Sequence, residues 1–229
     1  MNNQIRLNKF LAERLGVSRR EADELIVSGK VTIDGEPAKI GARLDKSSKV
    51  CYNNKIVPFE TEYLYLAFHK PVGYVCSRRA QGAAPTLYEL LPAKYQHLKT
   101  VGRLDKDSSG LILLTNDGDF AYQMTHPKFR KTKIYEVELN QPLQPLHQQM
   151  ISDYGVMLDD GPSQFKVITL ATDPDQRKRF TVVLTEGRNR QIRRTFAALG
   201  YRVTKLHRTH FGPYEIGDLP PGKYAIIKV

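Results

Sequence analysis

The segment GRLDKDSSGLILLTNDGD, Gly102 to Asp119, sets Asp105, Asp107, Asp117 and Asp119 around a short apolar run. Grouped carboxylates suggest first a hard cation or a phosphoryl group. D-x-D-x-S-G opens like a calcium loop, but an EF-hand needs a bidentate Glu at its twelfth position. Counted from Asp105, that position is Asn116, and strong flanking helices are missing. In D-x-D phosphotransferases the nucleophile follows a buried strand, whereas here the apolar run follows the aspartates. Neither reading accounts for the cluster.

The charge around it narrows the choice. Lys and Arg number 35 against 24 Asp and Glu, a formal charge of +11. Such a surface draws polyanions: RNA, DNA or an acidic membrane. No apolar run approaches the roughly 20 residues a membrane span needs, and MNNQIRLNKF lacks the apolar stretch of an export signal. Cys51 and Cys76 are the only cysteines. They read as free thiols in a reducing cytosol, so a cytoplasmic location is expected, with no membrane partner. Two cysteines without clustered histidines make no zinc site, and no metal is expected.

The front of the chain states its elements clearly. Leu7, Phe10, Leu11 and Leu15 recur at helical spacing until Gly16. Ser18 and Glu21 form an S-x-x-E capping box that opens a second helix, with Ala22, Leu25 and Ile26 facing inward and Gly29 closing it. Val31 and Ile33 alternate into a strand that turns at Asp34-Gly35. Arg19 and Arg20 sit in the first turn of the second helix, where the dipole disfavours cations. They are either solvated surface residues or part of a phosphate-binding surface shared with Arg6, Lys9 and Lys30. Polar residues from Lys46 to Glu62 hold a short strand over 49–52 and a linker near Pro58. The spacing therefore predicts two domains, 1–60 and 61–229.

In the second domain EYLYLAFHKP begins as an alternating strand, Leu111 to Leu114 read as a buried strand, and Asn116-Asp117-Gly118 as its turn. KTKIYEVELN alternates with Tyr135, Val137 and Leu139 on one side. KRFTVVLTEG is a further strand, and RNRQIRRTFAALG a helix with Ile192, Phe196 and Leu199 inward. Strands joined by turns as often as by helices point to an α+β class with a mixed, mostly antiparallel sheet flanked by helices.

Two stretches carry a resemblance. The helix-turn-helix followed by GKVTIDG resembles the S4 RNA-binding domain over roughly residues 4 to 50. A DNA-reading helix-turn-helix is disfavoured, because the second helix turns acidic after Arg20, with Glu21, Asp23 and Glu24. GRLDKDSSGLILLTNDG resembles the catalytic motif of pseudouridine synthases. HKPVGYVCS, KIYEVEL and EGRNRQIRR match three further motifs, in the family's order, of the branch that modifies single sites in ribosomal RNA (the RsuA/RluB/RluE/RluF type). Ser108-Ser109 stand where threonine is frequent in the family. ARLDKSS, Ala42 to Ser48, copies the start of the acidic motif, but no apolar strand follows, so Asp45 is read as a chance likeness.

The resemblance implies isomerisation of uridine to pseudouridine in ribosomal RNA. The N1–C1′ bond breaks, the uracil turns over, and C5 joins C1′. No atom leaves and no redox change occurs, so no cofactor is required. It assigns the catalytic aspartate to Asp105, as nucleophile at C1′ or base at C2′. It makes Arg193 the cation that holds the aspartate charged, and it puts Tyr135 against the uracil. From strand phase alone Tyr135 would read as a core tyrosine. The target base must leave its stack, and Arg103 either fills the vacated space or forms a structural ion pair with a neighbour such as Asp117. Lys133, Arg190 and Arg194 join the RNA-binding set, although Arg190 and Arg194 also fit a solvated basic face. Ribosomal RNA is the expected partner, free or in an assembling subunit. A monomer is expected, and the sequence leans slightly to the 23S over the 16S molecule. The rival is a non-catalytic S4-type RNA-binding or ribosome-assembly factor, which has no need of the trio Asp105, Tyr135 and Arg193.

Overall fold

A computed structural model of the chain describes residues 4–45, 47–60, 62–78, 82–168 and 177–229. Lys46 and Thr61, within the expected linker stretch, lie outside the described residues. The chain divides into two compact units, one of Met1–Leu64 with Ala93–Lys99 and Thr115–Gly118, the other of Tyr65–Pro92, Thr100–Leu114 and Asp119–Val229.

In the front unit α1 spans Leu7–Arg14 and α2 spans Arg19–Val27. The capping box forms as its residues predict. Ser18 Oγ accepts from the Glu21 N–H at 3.1 Å, and the Glu21 carboxylate accepts from the Ser18 N–H at 2.7 Å. Strands β1 (Val31–Ile33) and β2 (Val50–Tyr52) pair antiparallel, Thr32 opposite Cys51. Leu7, Phe10, Leu11, Ala22, Ile26, Val31 and Val50 bury together as one apolar core. Asp45 sits here in a tight turn, its carboxylate accepting from the Ser47 and Ser48 amides at 2.9 and 3.0 Å. It is an Asx turn that stabilises its own loop.

The second unit is built on a sheet. The strands along its main path, in chain order, are β3 (Tyr65–Lys70), β4 (Ser109–Thr115), β5 (Lys133–Leu139), β6 (Lys166–Ile168), β7 (Arg179–Leu184), β8 (Val203–Phe211) and β9 (Tyr224–Ile226). Across the sheet they run β6-β7-β5-β8-β4-β3-β9. β5 pairs antiparallel with both β7 and β8, whereas β8 and β4 pair in parallel, His207 opposite Ser109 and Arg208 opposite Gly110. Tyr135 faces Val182 across the ladder, and Val137 faces Phe180, so these side chains share one surface. Helix α3 (Gly118–Thr125) adds Phe120 and Met124 to a core with Leu111, Leu113 and Phe211. Helix α4 (Gln191–Ala198) sets Phe196 against Phe180, ring centres 5.4 Å apart.

The parallel pair needs a glycine. Gly110 has φ +112°, and a Cβ on it would come within 2.2 Å of the Arg208 carbonyl oxygen. The close approach of β4 and β8 therefore depends on a residue with no side chain.

Candidate active site

Asp105 lies in the loop that leads into β4. Three features hold that loop. Lys70, at the end of β3, is fully buried and donates from Nζ to the carbonyls of Ser108 at 2.6 Å, Asp105 at 3.0 Å and Pro71 at 3.1 Å. Burial pushes this lysine down to about 8, and the charges of Cys76, Asp105 and Asp107 resist the fall. Cys76 Sγ meets both the N–H and the carbonyl of Leu104 at 3.3 Å. From the other side Arg193 donates to the Asp107 carbonyl at 2.9 Å, to Ser108 Oγ at 3.3 Å and to the Val203 carbonyl at 3.0 Å.

The cation that meets the Asp105 carboxylate differs from the expected one. Arg190 lies 3.7 Å from the Asp105 carboxylate and 2.9 Å from that of Asp107. Arg193, expected in this ion pair, spends its donors on the backbone of the loop and of β8 instead. The reason is local. Arg190 precedes α4 in the left-handed conformation, φ +46°, which turns it out of the helix toward the loop. Arg193 is one residue past Ile192 on a helix face packed against β8, and burial lowers its affinity for the proton. The Arg190 hydrogen bond, the largest influence on Asp107, holds that carboxyl below the usual range.

Asp105 and Arg190 line an open pocket of about 690 Å³, in company with Tyr135, Arg208, Lys133 and Phe211. Its volume suits one nucleotide. Tyr135 is 8% exposed, so it is both a buried residue and a wall of the pocket. Behind it Arg208 is only 2% exposed. Its guanidinium carbon lies 4.7 Å from the centre of the Phe211 ring and 6.0 Å from that of Tyr135, and Nε donates to the Leu111 carbonyl at 2.8 Å. A buried cation against aromatic faces keeps positive potential under the pocket. Lys133 donates to the carbonyls of Lys131 and Glu186 at 3.2 and 3.4 Å, and burial with the Arg208 charge pushes it down to about 8.

The remaining expected residues fall in separate places. Arg103 lines the pocket, exposed, and forms no ion pair among the described residues. Arg194 does not join the pocket lining. Both its terminal nitrogens bind Asp160, at 3.0 and 2.8 Å, a bidentate pair that fixes the neighbouring loop. In the front unit Arg6, Arg20 and Lys30 are exposed and Lys9 is half-buried. Arg19 is exposed and donates to Asn8 at 3.2 Å. Glu21 already answers the dipole and one amide at the start of α2, so an anion there would meet chiefly the arginine side chains.

Sequence reasoning did not single out Lys70 or Arg208. Lys70 stands in the quoted HKP segment, but nothing in its neighbours distinguishes a buried ammonium from a solvated one. Arg208 had no signal, because an arginine in a strand reads as exposed.

Residues 64–198 match the family of RNA pseudouridylate synthases, and residues 5–50 match the S4 domain. The ribosomal small subunit pseudouridine synthase A of Pasteurella multocida (strain Pm70) is 36% identical over 223 residues, 96% of this chain and 94% of its own length. The ribosomal large subunit pseudouridine synthase B of Yersinia pestis is 34% identical over 228 residues, 96% of this chain and 71% of its own. A crystal structure of a pseudouridylate synthase superposes with a TM-score of 0.69 at 30% identity, over 98% of this chain and 96% of that one. The chain belongs to the RNA pseudouridylate synthase family.

Proposed function

We propose that this chain isomerises a specific uridine of ribosomal RNA to pseudouridine, with Asp105 as the catalytic carboxylate. The supporting observation is the carboxylate itself. It is ion-paired to Arg190 at the wall of a nucleotide-sized pocket that Tyr135 also lines. The uridine swings out of its stack into this pocket, and Tyr135 lies along the uracil. Asp105 either attacks C1′ or removes the C2′ proton as the N1–C1′ bond breaks, and the freed uracil turns to bond through C5. Arg190 sets its positive charge against the carboxylate, 3.7 Å away. Arg193 and Lys70 position the loop. Arg103, exposed beside the pocket, fills the space the base leaves. A preorganised pocket of this kind supplies rate through orientation, worth as much as about 7–11 kcal/mol.

In this reading residues 1–60 form the S4 domain, which grips the RNA through Arg6, Lys9, Arg19, Arg20 and Lys30, and residues 61–229 form the catalytic domain. The enzyme works as a monomer in the cytoplasm without a cofactor. The lean toward 23S rRNA gains no support from the relatives, whose names include both subunits. Pseudouridine mapping across both rRNAs, with and without the gene, identifies the target.

The test is Asp105→Asn, which should abolish pseudouridine formation and leave RNA affinity within a few-fold of wild type. Asp45→Asn, in the look-alike motif, should turn over normally. Undiminished turnover by the Asp105 variant, or no product from wild type on any rRNA fragment, overturns the assignment.

A further inference from the structure

We infer that the segment from Tyr122 to Lys131 is a stacking platform for an unpaired nucleobase next to the target nucleotide. This rests on the proposed RNA substrate but assigns a binding surface that begins at the rim of the pocket that receives the uridine and extends away from it.

Helix α3 buries Phe120 and Met124, which leaves Tyr122 on its outer face, 45% exposed. The chain then runs exposed from Thr125 through Arg130. Tyr122 and two residues of that run bring three rings together. Tyr122 and His126 lie 4.7 Å apart between centres, and Tyr122 meets Phe129 edge-on at 5.7 Å and 90°. Phe129 is itself 38% exposed. The Lys128 ammonium sits 4.7 Å from the centre of Phe129 and 5.2 Å from that of Tyr122.

Two features mark this as a ligand surface. First, aromatic rings left in water forgo the gain of burial, and the clustering of these rings makes a patch, whereas Tyr63 and Tyr154 are exposed elsewhere on the chain. Second, the patch continues into the pocket. His126, Pro127 and Lys131 belong to the wall that also contains Asp105. A nucleotide adjoining one seated in the pocket therefore passes over these rings. Lys128, Arg130 and Lys131 supply positive charge along the same path, and flat rings interleaved with cations suit single-stranded RNA, whose bases each offer a π-face. A base laid on the outer face of Phe129 or Tyr122 takes the apolar contact, and the cations take the flanking phosphates. The platform thereby holds the strand open beside the everted uridine.

The chain contains no tryptophan, so Phe129→Trp introduces a single fluorescent reporter. Titrated with rRNA fragments that wild type binds, its emission should be quenched, and an abasic nucleotide at one position beside the target should abolish the quench. Tyr122→Ala combined with Phe129→Ala should weaken RNA affinity and raise KM about tenfold or more, with kcat at saturation and Tm close to wild type. Tyr122→Phe with Phe129→Tyr should restore both constants. Unquenched binding together with wild-type KM and affinity in the double alanine variant overturns the platform. If binding quenches the reporter yet wild type forms no pseudouridine, the assigned reaction falls and the platform stands.

Discussion

Gly110 and Arg208 approach so closely in the parallel pairing of β4 with β8 that a single methyl group on Gly110 would overlap the Arg208 backbone, 2.2 Å from its carbonyl oxygen. Arg208 lines the pocket with Tyr135, and Gly110 belongs to the strand that follows Asp105. Gly110→Ala must part the strands or strain a φ of +112°. We expect a loss of at least about 3 kcal/mol in stability and no measurable turnover, read by denaturant unfolding and pseudouridine assay.

Arg190 and Arg193 should separate by their effect on stability. Arg190→Ala removes the cation beside the Asp105 carboxylate, so its activity should fall by about 10²–10³ with Tm close to wild type. Arg193→Ala removes the brace behind the loop. It should lower activity and also reduce Tm, because it leaves the Asp107 and Val203 carbonyls without this donor. Equal losses of Tm in the two variants would contradict the division of roles.

Lys70 makes stability and activity move oppositely with pH. Its proton is held less tightly in the fold, at about 8, than the usual value near 10.5. The unfolded chain therefore binds more protons between those values, and the fold gains stability as pH rises through that window. Lys133, also pushed down to about 8, adds to the gain. Yet above pH 8 the Lys70 amine keeps fewer donors for three loop carbonyls, so turnover should decline while Tm, corrected for other groups, climbs. In Lys70→Met the Lys70 share of the stability gain should vanish and kcat should fall at least about tenfold, measured by pH-dependent unfolding and single-turnover assay.

The front unit should govern salt dependence. Arg19→Ala with Arg20→Ala should weaken RNA binding and flatten the slope of log affinity against log salt by about 0.7 for each lost phosphate contact to a single strand. An unchanged slope would place both arginines away from phosphate. Since neither contributes to the pocket, kcat on saturating RNA should stay as in wild type.

The front helices were legible because their signals are local: Ser18 and Glu21 cap each other three residues apart, and Ala22 and Ile26 recur at one helical turn. Strand β5 was legible because Tyr135, Val137 and Leu139 alternate against polar neighbours. Strand β8 was not read. Its buried residues are Val203, Leu206, Arg208 and Phe211, whose spacing breaks alternation at the register shifts against β5 between Ile134 and Tyr135 and between Glu138 and Leu139. One of them is an arginine, which pattern reading assigns to water. The helix over 118–125 was masked by the turn residues that open it. At the site, Asp105 and Tyr135 came from motif resemblance. The exchange of Arg190 for Arg193 against the carboxylate depends on one left-handed backbone angle at Arg190, which no spacing rule encodes.

The parallel ladder between β4 and β8 also sets a schedule for synthesis. Strands that lie about a hundred positions apart in the chain must meet side by side before Arg208 can underlie Tyr135, and such distant pairing is slow to nucleate. A growing polypeptide therefore has no floor beneath Tyr135 until the strand that ends at Phe211 emerges.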